Sequence, residues 1–92
     1  MAKKTVKFNQ TGANQLPKDK PVVYKIQTPR GRTNYVGIAQ RGRVAERIQE
    51  HLAEKRIPGA KVQIEQMPSI AEAREKEKNI IARTDPKYNR QG

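Results

Sequence analysis

The chain has no cysteine and no tryptophan, and it carries a single histidine and a single phenylalanine. Without cysteine there is no disulfide framework, no thiol nucleophile and no thiolate zinc site, a composition that suits a reducing compartment. With His51 as the one histidine, neither a two-histidine zinc site nor a metalloprotease motif can be assembled within one chain. Long apolar runs are also missing. Nowhere does the sequence approach the roughly 18 consecutive apolar residues of a membrane span, and no apolar stretch follows Met1-Ala2-Lys3-Lys4. The expectation is a soluble, intracellular, cytoplasmic protein with no membrane partner and no organic cofactor.

Acidic residues are scarce. Nine Asp and Glu face 20 Lys and Arg, for a net charge of +11. This balance points to a polyanionic partner reached through phosphate contacts and counterion release. The imbalance is concentrated in residues 1–45, where ten basic residues meet Asp19 alone; residues 46–92 hold ten against eight acids. The first half is therefore the expected electrostatic footprint, with Lys25, Arg30, Arg32, Arg41 and Arg43 as expected nucleic-acid contacts. At 92 residues with 34% hydrophobic content, the chain allows one small domain with an aliphatic core.

Residues 1–16 are rich in Lys, Asn, Gln and Gly and read as a mobile basic arm, with Thr5-Val6-Lys7-Phe8 as its one short alternating run. Residues 17–92 form the expected domain. Val22-Val23-Tyr24-Lys25-Ile26 and Asn34-Tyr35-Val36-Gly37-Ile38 read as strands, joined by Thr28-Pro29-Arg30-Gly31 with its type I turn chemistry. A helix over about Arg43 to Lys55 buries Val44, Ile48 and Leu52, and sets Arg43, Arg47 and His51 in a parallel stripe. Pro58-Gly59 ends it, and Lys61 to Met67 alternates as a third strand with Val62 and Ile64 on one face. Ser69-Ile70-Ala71-Glu72 is a capping box that opens a last helix to about Thr84, with Pro86-Lys87-Tyr88-Asn89 an exposed tail. The expected fold class is α+β, a three-stranded, mainly antiparallel sheet flanked by helices.

Two phenols on neighbouring strands are difficult to read as ordinary core in a chain so poor in aromatics. They share a face only if paired positions sum to an odd number. In the last helix the apolar stripe of Ile70, Ala73, Ile80 and Ile81 is centred on Glu77, with Ala73 and Ile81 each about 40° away. An unpaired carboxylate there costs several kcal/mol to desolvate. It either pairs with Arg47 or reaches water, or it faces a cleft and holds a hard ion such as Mg²⁺ or Mn²⁺ with waters and substrate oxygens. Arg47 and His51, one turn apart, are either ordinary surface or a guanidinium and an imidazole placed for phosphodiester cleavage.

These residues carry a resemblance. Val22-Val23-Tyr24, Tyr35-Val36-Gly37, Glu46 to Leu52, Glu72-Ala73, Glu77, Ile80-Ile81 and Pro86-Lys87-Tyr88-Asn89 stand in the order and spacing of the GIY-YIG nuclease domain, over roughly residues 17–91. Its closing segment resembles the corresponding helix of the nuclease domain in the excision-repair incision subunit and in small stand-alone members. Val22 replaces the glycine of the first motif, and the loop after Gly37 is longer. The resemblance implies hydrolysis of DNA phosphodiester bonds with one Mg²⁺ or Mn²⁺ ion per site. It implies Tyr24 as general base or its relay, Tyr35 lining the site, and Arg47 holding the phosphate. Glu77 is the implied metal ligand, His51 stands beside the arginine, and Asn89 supports the site.

A free phenol titrates near 10, so Tyr24 needs neighbouring positive charge or a relay through His51 to act as a base. Arg47, Arg41 or a lysine other than Lys25 are the open choices for that charge. No base-reading module is present, so the expected nuclease selects DNA by shape or through a protein partner. The rival expectation is a non-catalytic nucleic-acid-binding module on the same fold.

Overall fold

In the computed structural model, which describes residues 3–90 with the side chains of Lys87 and Arg90 excepted, eight elements follow one another. They are β1 (Lys3–Lys7), α1 (Gln10–Asn14), β2 (Val22–Gln27), β3 (Thr33–Ala39), α2 (Val44–Glu54), β4 (Lys61–Gln66), α3 (Ile70–Thr84) and a closing 3₁₀ turn (Lys87–Arg90). Met1 and Ala2 of the expected arm, and Gln91 and Gly92 at the end of the expected domain, lie outside the described residues. The strands form one antiparallel sheet in the order β1-β4-β2-β3. The protein is thus a small α+β domain with four strands where three were expected.

The fourth strand comes from the segment read as an arm. Val6 is buried and pairs with Val62, so the brief alternation of Thr5-Val6-Lys7 suffices to add β1 to the edge of β4. Asn9 then caps α1 by accepting the Gly12 N–H at 2.7 Å, and Ala13 and Leu16 enter the core. Residues 3–16 are part of the folded body. Their polar composition hides this because β1 buries Val6 alone and leaves its other four side chains exposed.

Helices cover both faces of the sheet. On one face Val22, Tyr24, Ile26, Val62 and Ile64 pack with Ala13, Val44 and Ile48 from α1 and α2. On the other, Val23 and Val36 pack with Ala73 and Ile80 of α3. In α2 the buried positions are Val44, Ile48 and His51, whereas Leu52, expected inside, is half-buried. The α2 axis is rotated so that the imidazole takes the inner seat.

Local chemistry sets the ends. Gly31 donates to the Thr28 carbonyl at 2.9 Å and takes φ +89°, a left-handed value suited to glycine, and the β2–β3 ladder slips its register just before this turn. Ser69 caps α3 by accepting the Glu72 N–H at 3.2 Å. Asp85 ends that helix in the left-handed region at φ 48°. The following segment is not the exposed tail expected: Pro86 is fully buried, Tyr88 packs against the tyrosine-face core, and the 3₁₀ turn lies along β3. Among the described residues no helix is long and apolar enough to cross a membrane.

Candidate functional site

Tyr24 lies opposite Gly37 on β3, and Tyr35 lies opposite Ile26. Both pairs have the parity that puts the two phenols on one face, and their ring centroids are 6.2 Å apart. Gly37 makes the arrangement possible. The Tyr24 ring crosses directly over it, so that a Cβ at position 37 would stand 2.5 Å from both Cζ and the hydroxyl oxygen. Any side chain there would push the ring away. With glycine, the phenol extends across β3 toward the edge of the sheet.

α2 brings the imidazole to meet it. The Tyr24 hydroxyl and His51 Nε2 are 2.7 Å apart in a buried hydrogen bond, and the Tyr35 ring lies 4.9 Å from the imidazole at 59°. Burial, followed by Arg47, pushes the His51 pKa below its ordinary value, so the imidazole is neutral at neutral pH. A neutral ring that accepts at Nε2 carries its proton on Nδ1. That atom is buried without a hydrogen-bond partner among the described residues; Glu54 Oε1, at 3.6 Å, is too distant for one but close enough to attract a charge. The Tyr24 pKa is pushed well above the ordinary phenol range, first by burial and next by Tyr35, with Arg47 pulling against both. Tyr24 therefore keeps its proton, and with the Nδ1–H tautomer of His51 it donates to Nε2.

Arg47 stands one turn before His51, bonded through Nη1 to Glu50 Oε1 at 2.7 Å, and Arg43 bonds Glu46 at 2.8 Å. Both arginines line a cleft of about 260 Å³ that passes around the edge of β3 to α3, where Ile70 and Arg74 form its other wall. Glu77 follows Arg74 by one turn. It is half-buried, as its place in the apolar stripe requires, and burial raises its pKa while Arg74 draws it back down. Among the described residues it has no hydrogen bond or ion pair. The carboxylate lies within electrostatic range of Tyr24, adding a small upward push to the phenol. The two tyrosines share a face as required, but it is the α2 face. Glu77 approaches from the α3 face, and the two sets meet only around the edge of β3.

Asn89 holds this edge. Its Oδ1 accepts the Val36 N–H at 2.7 Å and its Nδ2 donates to the Val36 carbonyl at 2.9 Å, so one side-chain amide acts as the next strand would. The sequence matches no protein-family model and no curated protein. The chemistry of the site has therefore to be read from its own atoms.

Tyr24, Tyr35, Arg47 and His51 are brought together, with Glu77 across the strand edge and Asn89 behind it. The five expected nucleic-acid contacts do not form one patch. Arg30 and Arg32 are exposed at the turn end of β3, Arg41 and Arg43 at its other end, about 20 Å away along the strand. Lys25 points to the α3 face, where Lys3, Arg83 and Lys76 surround it. Sequence reasoning missed Arg74 and Glu54. The first is four residues after Ile70 and the second three after His51, spacings that place each beside its neighbour on a helix. No three His, Asp or Glu side chains among the described residues converge into a metal cage. The fit of a divalent ion rests on Glu77, a half-buried oxygen donor lacking a cation in hydrogen-bonding contact, which suits an ion coordinated mainly by water and phosphate.

Proposed function

We propose that this chain is a GIY-YIG-type endonuclease that hydrolyses DNA phosphodiester bonds in the cytoplasm, selecting branched or distorted DNA by shape. The observation that carries the reading is the 2.7 Å hydrogen bond from the buried Tyr24 hydroxyl to a neutral His51. A phenol with a raised pKa is a poor base by itself. Coupled to an imidazole acceptor it becomes a relay: as Tyr24 oxygen takes a proton from the attacking water, its own proton passes to Nε2, and the resulting imidazolium faces Glu54. Arg47 and Arg74 flank the cleft in which a phosphate would sit, and their charge offsets that developing on its oxygens. Glu77 would hold one Mg²⁺ or Mn²⁺ ion, which supplies Lewis-acid stabilisation of the phosphate and leaving oxygen.

One observation favours a second reading. Tyr24 is wholly buried and His51 is only 4% exposed, so the pair is closed to bulk solvent in this conformation. A nucleic-acid-binding module that uses the basic cleft without turnover would look the same. Nicking of supercoiled plasmid and of a branched-DNA panel, with and without Mg²⁺ or Mn²⁺, separates the two. The nuclease reading expects ion-dependent nicking that Glu77→Ala abolishes and Tyr24→Phe slows by roughly 10²- to 10⁴-fold. Binding without nicking on every DNA tried, or equal nicking by native protein and Glu77→Ala, gives the site to the binding module.

A further inference from the structure

The α3 face of the sheet is only partly covered. Val6 enters the core on the opposite face, so Lys3, Thr5 and Lys7 of β1 turn outward here, and all three are exposed. The register continues the surface inward: Lys7 lies beside Lys61 and Lys61 beside Gln27, Thr5 beside Gln63 and Gln63 beside Lys25, and Lys3 beside Glu65. α3 packs across β3 and β2 and leaves the β1–β4 side open. The result is a platform three strands wide with four lysines against one carboxylate, and Glu65 is already engaged by Lys76 at 3.8 Å.

The cations crowd one another. The proton affinity of Lys25 is lowered first by burial and then by Lys3 and Arg83, with Lys76 adding to this and Glu65 opposing it. An anion on the platform would relieve that repulsion. Same-face side chains recur about every 6.7 Å along a strand, close to twice the roughly 3.4 Å rise per phosphate of one nucleic-acid strand. The neutral members, Thr5, Gln27 and Gln63, are hydrogen-bonding groups suited to phosphate and sugar oxygens. No apolar or aromatic side chain projects among Lys3, Thr5, Lys7, Lys61, Gln63 and Lys25, so nothing here would insert into a bilayer.

We infer that the open β1–β4–β2 platform is a second, sequence-independent binding surface for a nucleic-acid backbone, on the opposite face of the sheet from the tyrosines. It stands whether or not the tyrosine edge cuts. With one basic cleft at the β3 edge and a second basic surface on the β1–β4 side, one molecule can hold two duplex segments at once.

The test is fluorescence anisotropy with a labelled DNA duplex of about 20 base pairs, comparing the full native chain with the Lys7→Gln, Lys25→Gln, Lys61→Gln triple variant. Thermal unfolding is followed in parallel. Removing three phosphate contacts should weaken affinity at least about tenfold near physiological salt and reduce the log–log salt slope by roughly 2 to 3. Unchanged affinity and slope overturn the proposal. So does a variant that binds duplex normally but loses binding to phosphatidylserine vesicles, since the platform would then belong to a membrane. Should the triple variant not fold, acetylation footprinting of the native protein decides instead. Duplex should protect Lys7 and Lys61 but not the exposed Lys55 at the end of α2, and equal modification with and without duplex refutes the surface.

Discussion

His51 shows how burial turns a common surface residue into a chemical group. In the unfolded chain its imidazole titrates near 6.5, whereas in the fold burial and Arg47 hold the value lower. Below about pH 6.5 the unfolded chain therefore binds a proton that the folded chain resists, and stability falls as pH drops toward the folded pKa. Glu77 acts in the opposite sense. Its folded pKa is raised by burial above 4.5, so its contribution is lost as pH rises through that range and partly masks the histidine. Urea denaturation between pH 7 and 5 should show a falling midpoint, bounded at about 1.4 kcal/mol per pH unit for one proton. Glu77→Gln should steepen the fall and His51→Gln should flatten it. A native midpoint that does not change over this window would mean that the imidazole is not held neutral. The sequence placed His51 one turn from Arg47, but helical spacing put Leu52 inside in its stead. That choice came from the rotation of α2 against the sheet.

At the scale of elements, β3 is the strand on which the site depends, and its outer edge is closed by a side chain instead of a strand. Replacing Asn89 by Ala removes both hydrogen bonds to Val36 and should destabilise the protein by about 1–3 kcal/mol. Asn89→Asp should cost more at neutral pH. It keeps an acceptor for the Val36 N–H but sets a carboxylate oxygen against the Val36 carbonyl, where a donor is needed. Amide exchange at Val36, measured beside chemical denaturation, should accelerate in both variants. Unaltered exchange there would show that the edge is protected by something other than Asn89. The capping box at Ser69 and the breaker pair Asp85-Pro86 were legible because they are local. The return of the chain onto β3 was not, since a turn rich in polar residues gives no sign of what its side chains will meet.

For the molecule as a whole, the largest departure from expectation is the N-terminal segment. Deleting residues 1–16 removes Val6, Ala13 and Leu16 from the core and exposes the edge of β4. In a domain this small the loss should abolish the cooperative thermal transition, whereas a dispensable arm would leave it intact. A cooperative melt near the native midpoint, followed by circular dichroism, would contradict the structural role given to β1 and α1. The sequence by itself determined the order and ends of most elements, the basic character of the molecule and the odd place of Glu77, because periodicity, caps, turns and charge are properties of neighbouring residues. Tertiary structure alone decided that Tyr24 passes over Gly37 to reach His51, that Glu77 approaches from the opposite face, and that Lys25 stands apart from Arg30, Arg32, Arg41 and Arg43. Those relations depend on strand order and register, which are fixed when distant segments pack and leave no local trace in the chain.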